Sequence, residues 1–209
     1  MKKIIISFLA LLVFGYSNAQ STKIVTAPKG NAHIKVFNQA VSVGDINTAV
    51  IALNYYLAEQ GTNNAYADTL AMLYMQQGSF AQCYYWADKR LITKPDDNGL
   101  LEMKGMCLDK MQQPKEAIAV FEKLFVRTKS PYHAYKLMEL QYGIKRLAEC
   151  VATGNAAERL QYKPEYTMTY SLGEQVGRTY LQASIFNIQG LALYDLDKKA
   201  EAKTYFQKQ

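Results

Sequence analysis

Residues 98–131 read NGLLEMKGMCLDKMQQPKEAIAVFEKLFVRTKSP, and this stretch decides the fold. Leu101, Gly105 and Leu108 recur at the spacing of one helical face, and Ala117, Ile118, Phe121 and Leu124 do so again after a break at Gln112-Gln113-Pro114. Thirty-four residues earlier the same layout stands, with Gly78 followed by Ser79-Phe80 and then Cys83. Thirty-four residues before that, Gly44 is followed by Asp45-Ile46 and then Ala49. The same offset links Val36-Phe37, Leu70-Ala71 and Lys104-Gly105. Three consecutive registers agree without an insertion, and a period of this length means stacked helix pairs.

The second register shows the physical content of the pattern. Ala67, Leu70, Ala71 and Tyr74 lie on one predicted helical face, and Gln77-Gly78-Ser79 breaks the helix where glycine supplies backbone freedom. Phe80, Cys83, Tyr84 and Ala87 make the next apolar stripe. Lys94-Pro95-Asp96-Asp97 then ends the second helix, because proline cannot continue it and restricts its predecessor. Asp96 and Asp97 read as solvated residues at the start of the following helix.

These residues resemble the tetratricopeptide repeat family. Leu101-x2-Lys104-Gly105-x2-Leu108 with Ala117-x3-Phe121 is the fullest copy of its pattern. Ala67-x2-Leu70-Ala71-x2-Tyr74 with Pro95 is a second, and Phe186-x2-Gln189-Gly190-x2-Leu193 with Ala202-x3-Phe206 a third. The resemblance covers roughly residues 30–131 and 183–209. It implies an all-α chain, a right-handed superhelical solenoid of about four to five helix pairs. The expected units are 30–63, 64–97 and 98–131, a divergent fourth unit within 132–182, and a last unit at 183–209 that is incomplete if the chain is truncated at Gln209. Small residues at Ala71, Gly105 and Gly190 permit close helix approach, with Ala49, Cys83, Ala117 and Ala202 facing the gap. Phe37 replaces the small residue in the first unit, as befits a repeat that caps the stack.

Residues 132–182 leave this register. Tyr135, Met138 and Tyr142 share a face, Glu139 falls at the expected small-residue position, and a helix from about Ile144 to Leu160 follows. Tyr162-Lys163-Pro164-Glu165 breaks the chain; Tyr166 to Tyr170 and Val176 to Tyr180 then alternate in strand-forming residues. Two readings stand: a β-hairpin inserted near 165–181, or a longer loop feeding an early final helix. Tyr162, Tyr166, Tyr170 and Tyr180 either offer contact area to a partner or cover the apolar edge of neighbouring helices.

The N-terminus carries a separate signal. Lys2-Lys3, the apolar run Ile4 to Phe14, and Ser17-Asn18-Ala19 before Gln20 have the layout of a secretory signal peptide, 1–19, followed by a linker, 20–29. The run is short for a bilayer span, and no other segment is long and apolar enough. The expected location is periplasmic or extracellular. The alternative is a buried N-terminal helix. Cys83, Cys107 and Cys150 are odd in number, so at least one thiol is unpaired or pairs between chains. Cys83 and Cys107 flank the Pro95 turn almost equally and are expected to lie level, either as a disulfide or as two small buried hydrophobes.

The chain is 49% hydrophobic and 20% charged, which excludes global disorder. Of 24 Lys and Arg, removal of Lys2 and Lys3 leaves 22 against 18 acids, scattered as on a solvated face. No basic stripe interleaved with aromatics points to nucleic acid. No P-loop, dinucleotide fingerprint, HExxH or CxxC is present, so no cofactor or metal is expected. His33 and His133 stand on different predicted helices, and no Ser or Cys has an assignable base. The chain is therefore read as non-catalytic.

In such a solenoid the first helix of each pair lines the concave side. Projection places Asn38, Val41, Asp68, Met72, Met75, Glu102, Met106, Asp109, Lys136, Leu140, Asn187, Leu191 and Tyr194 there. Methionines adapt to irregular partners, or pack between helices. Partner-binding candidates are Asn38, Asp68, Met72, Met75, Met106, Asp109, Leu140, Tyr166, Tyr170 and Tyr194. Chaperone-binding members of the family clamp a terminal carboxylate with Lys, Asn and Arg. Here Asn38 alone matches, while Ile34, Thr69, Gly99 and Met103 hold the other places, so a clamp is not expected. The leading expectation is an exported scaffold for a peptide or protein. The alternatives are a self-assembling module, forming a homo-oligomer through its C-terminal face near Phe206, and an unrecognised envelope enzyme.

Overall fold

The computed structural model describes residues 31–163, 165–172 and 175–208; the expected signal peptide and linker lie outside the described residues. The chain is mostly helical with a small sheet, as the resemblance implies. The helices are α1 (Ala32–Ser42), α2 (Ile46–Gln60), α3 (Ala65–Gln76), α4 (Phe80–Leu91), α5 (Asn98–Lys110), α6 (Pro114–Thr128), α7 (Pro131–Gly143) and α8 (Leu147–Glu158). Strands β1 (Thr167–Leu172) and β2 (Gln175–Tyr180) follow, then α9 (Leu181–Asp195) and α10 (Lys199–Phe206). Helix starts are capped locally: Asp45, Asn64 and Asp97 accept from the backbone N–H of Thr48, Tyr66 and Leu100. Pro114 and Pro131 open α6 and α7, where their missing N–H costs nothing.

Among the described residues one turn geometry is used five times. Gly44, Gly78, Gln112, Lys145 and Asp197 all hold φ between 60° and 73°. In each case the next residue's N–H donates five positions back: Asp45 to Ala40, Ser79 to Tyr74, Gln113 to Leu108, Arg146 to Gln141 and Lys198 to Leu193, at 2.8–2.9 Å. This is the left-handed helix ending that satisfies otherwise orphaned carbonyls. The interval of thirty-four read from the sequence is thus the spacing of the first three of these turns.

Numbering from the left-handed residue explains the divergent unit. Seven positions before it lies the site of close approach, occupied by Phe37, Ala71, Gly105, Met138 and Gly190. Nine positions after it lies the facing site, occupied by Leu53, Ala87, Phe121, Gly154 and Phe206. A Cβ added at Gly105 would stand 2.9 Å from Phe121 Cε2, and one at Gly190 2.6 Å from Phe206 Cε1. In the fourth pair the sizes are exchanged: Met138 is large, and a Cβ at Gly154 would meet Met138 Cε at 3.0 Å, and Gln189 Oε1 of α9 more closely still, at 2.5 Å. Lys145 falls thirty-three residues after Gln112, so the close-approach site is Met138 and not Glu139. Glu139 instead accepts from Tyr135 Oη at 2.6 Å and Lys136 Nζ at 2.7 Å. At the matching position early in each second helix, Ala49, Cys83, Ala117, Cys150 and Ala202 are all buried.

The described residues form two compact units, 31–124 and 125–208. In the first, Ile34, Phe37, Leu53, Leu57, Tyr66 and Leu70 share one core. Phe37 and Tyr56 both meet Tyr66 edge-on, with ring centroids 5.9 and 5.0 Å apart. In the second, α7 packs on α8, both meet α9, and α9 meets α10. The inserted segment is an antiparallel hairpin pairing Thr167 with Tyr180 and Leu172 with Gln175. Tyr170 stands opposite Gly177. Cys83 and Cys107 are buried in one cluster with Ala71, and all three cysteines are free thiols. The hydrogen bond with Cys107, then burial, pushes the Cys83 thiol far above the ordinary thiol range.

Two substitutions test this packing. Gly105→Val drives a branched side chain into the buried Phe121 ring and should cost about 1–3 kcal/mol in urea unfolding. Gln112→Gly removes a left-handed penalty of about 1–2 kcal/mol and returns roughly 0.5–1 kcal/mol of chain entropy. It should raise the urea midpoint at unchanged slope, by a net of about 0.5–1 kcal/mol.

Candidate partner-binding surfaces

The first helices of unit 31–124 lie side by side. Phe37 of α1 meets Tyr66 of α3, and Ala71 of α3 shares a buried cluster with Cys107 of α5. Their remaining faces carry the residues singled out by projection, and the structure sorts these into two groups. Asn38 is exposed, Val41 is 46% exposed and Met72 40% exposed. Met75 is half-buried against the Ala71–Cys107 cluster, and Asp109 is half-buried on α5.

The other group is already engaged. Asp68 accepts from Arg90 Nε at 2.5 Å and from Lys94 Nζ at 2.8 Å. Arg90, only 4% exposed, also donates to Asn63 Oδ1 at 2.7 Å and Thr93 Oγ1 at 3.3 Å. Asp68 therefore neutralises a buried guanidinium and does not stand free. Met106 is buried, at 8% exposure, among the residues of α5 that face the core.

In unit 125–208, Leu140 is also 8% exposed, whereas Tyr194 of α9 is 55% exposed. Tyr166 is half-buried on the turn before β1, and Tyr170 is a β1 residue. Around Tyr166 lies a cleft of about 370 Å³, lined by Tyr162, Lys163, Tyr166, Tyr180 and Gln182. Its members come from the turn before β1, the end of β2 and the start of α9. Leu181 N–H donates to Tyr166 O at 2.8 Å and Tyr166 N–H to Lys163 O at 2.9 Å, which ties the turn to the strand end. Tyr162 is anchored, its hydroxyl donating to Ala157 O at 2.9 Å. Tyr180 stands out at 63% exposure. Lys163 and Gln182 were not candidates from sequence, because only the folded turn brings them to the tyrosines.

The histidines are engaged apart from one another. His33 Nε2 lies 3.0 Å from Glu59 Oε1 with its ring stacked on Tyr55, and His133 Nδ1 lies 2.7 Å from Thr128 Oγ1. Among the described residues no group of three His, Cys, Asp or Glu is arranged to hold a metal ion. Nor is any of their helices long and apolar enough to cross a membrane.

Comparison with known proteins gives one family-model match, described as anaphase-promoting complex, cyclosome, subunit 3, over residues 42–124. No curated protein matches the sequence. Among solved structures, one of MamA shares 16% identity at a TM-score of 0.68, covering 84% of this chain and 87% of that one. MamA 41-end from Desulfovibrio magneticus RS-1 shares 17% identity at 0.65, covering 84% and 90%. YrrB, described as a TPR protein with an unusual peptide-binding site, shares 15% identity at 0.64, covering 84% and 82%. At these identities the likeness is one of fold.

The seat of Tyr162 has a measurable signature. Burial first, then the charge of Glu158, pushes its phenol from 10.0 to about 12. Between those values the unfolded chain loses this proton before the folded one, so stability falls as pH rises. Tyr162→Phe should flatten that fall, read as unfolding midpoints across pH 10 to 12; an unchanged slope would place the hydroxyl in water.

Proposed function

We propose that this chain, a tetratricopeptide-repeat protein, is a non-catalytic scaffold that binds a protein or peptide partner on the first-helix face of residues 31–124. One observation carries the reading. Asn38, Val41 and Met72 remain exposed on helices lying side by side, while the neighbouring charges of Asp68 and Arg90 are consumed internally. The face therefore offers two exposed apolar side chains and an amide, together with the half-buried Asp109 of α5. Val41 and Met72 give adaptable apolar contact, and Asn38 can donate to or accept from a partner backbone. A solved protein of like fold, YrrB, is described as having a peptide-binding site, which supports binding as the role.

The same reading assigns no reaction; His33 and His133 stand on different helices with separate partners, Glu59 and Thr128. It sets the scaffold outside the cytoplasm, on the strength of Lys2-Lys3, the apolar run to Phe14 and the small residues before Gln20.

Val41→Lys combined with Met72→Lys puts two charges on exposed positions and should leave the circular dichroism spectrum unchanged. Quantitative pull-down from envelope extract should then show the principal partner reduced at least about tenfold, the equivalent of roughly 1.4 kcal/mol. Identical partner lists for variant and wild type would remove this face from consideration.

A further inference from the structure

The hairpin stands between α8 and α9, and its register shows which backbone groups it leaves open. The bond from Leu181 N–H to Tyr166 O extends the ladder in which Met168 faces Thr179 and Tyr170 faces Gly177. Hydrogen-bonded and non-hydrogen-bonded pairs alternate along an antiparallel ladder. Residues 166, 168, 170 and their partners therefore turn N–H and C=O inward, and Thr167, Thr169 and Arg178 turn theirs outward. Among the described residues the sheet has two strands, so neither outer edge has a strand partner. Open edges of this kind are templates for an added strand.

The cleft at the foot of the hairpin has a one-sided chemistry. Its lining offers an ammonium from Lys163, an amide from Gln182 and the phenols of Tyr166 and Tyr180, above the anchored Tyr162 ring. Among the described residues no carboxylate lines it. Glu165, on the same turn, is exposed and is not part of the lining. Lys163 makes no ion pair among the described residues, in contrast to Lys136, Lys145 and Lys208 of the same unit. Donors and one cation gathered around aromatic rings suit an anion attached to an apolar stem.

We propose that this cleft and the adjoining strand edge receive an extended, acidic segment of a protein partner. The segment adds as a third strand to the hairpin, and one Asp or Glu side chain enters the cleft. Its carboxylate meets Lys163, with Gln182 and a tyrosine hydroxyl as further donors, while its methylenes lie against the rings. The proposal rests on the scaffold reading but uses a different unit of the chain from the first-helix face.

The probes are amidated synthetic peptides of about eight residues, alternating Thr and Val and carrying one central Glu, Gln or Lys. Each is titrated calorimetrically into the full chain at low and high salt. The Glu peptide should bind at least about tenfold tighter than the other two, and salt should erode the difference. Lys163→Ala should abolish the preference, while N-methylation of alternate peptide residues should weaken binding about tenfold by removing the strand's N–H groups. Val41→Lys with Met72→Lys should leave the titration unchanged. Equal affinities for the three peptides, no binding of any, or a preference that survives Lys163→Ala each overturn the cleft. Loss of peptide binding in the Val41/Met72 variant also overturns it, yet upholds the first-helix face. An extract partner lost with neither set of variants ends the scaffold reading itself.

Discussion

Everything in this molecule depends on how closely two helices approach across a left-handed turn. A glycine facing a phenylalanine, as in Gly105–Phe121 and Gly190–Phe206, sets that distance in two pairs. The fourth pair reaches the same end with Met138 facing Gly154. In these three pairs the volume facing the glycine matters and its identity and side do not, while the first two pairs set Phe37 against Leu53 and Ala71 against Ala87. Once the pair is closed, the small residue at the start of the second helix is buried whatever its type, so Ala49, Cys83, Ala117, Cys150 and Ala202 fill equivalent places. Cysteine there behaves as a compact apolar side chain.

This distinction between volume and identity explains what could be read from the chain alone. Gly44, Gly78 and Gln112 recur at a fixed interval, so the first three turns, and with them the fold, were legible. The hairpin was legible as one of two readings, because alternation in Tyr166 to Tyr170 and Val176 to Tyr180 is a local property. The fourth pair was not. Its turn comes one residue early at Lys145, and its large and small partners trade places, so a pattern tied to residue type finds Glu139 where Met138 belongs. The candidate surfaces were legible only in part. Projection onto a helix finds the side, and Asn38, Val41, Met72 and Tyr194 are exposed there. It cannot see that Asp68 is claimed by Arg90, twenty-two residues away, or that Met106 and Leu140 are covered.

The polar side chains are distributed in a way that separates holding the fold from meeting a partner. Arg90 is buried, and three side chains, Asp68, Asn63 and Thr93, take up its donors. Leaving such a charge unpaired costs about 3–5 kcal/mol, so these groups stay with the fold. In unit 125–208, Glu158 receives Lys208 at 2.5 Å and Tyr205 at 3.2 Å, and the Lys208 hydrogen bond holds its carboxyl below the ordinary range. What remains for recognition is an apolar and amide face in one unit, and an ammonium among tyrosines in the other.

The contacts that close each helix pair are also local in the chain. Residues 105 and 121, 138 and 154, and 190 and 206 are each sixteen positions apart. Short loops cost little entropy to close, and chains rich in such contacts cross their folding barrier quickly. The closing contact of a pair needs only its own two helices and the turn between them, such as Asn98–Thr128 for the third pair. The order in which the chain is delivered can therefore be the order in which it becomes structured, and the hairpin, placed between pairs and not within one, delays none of them.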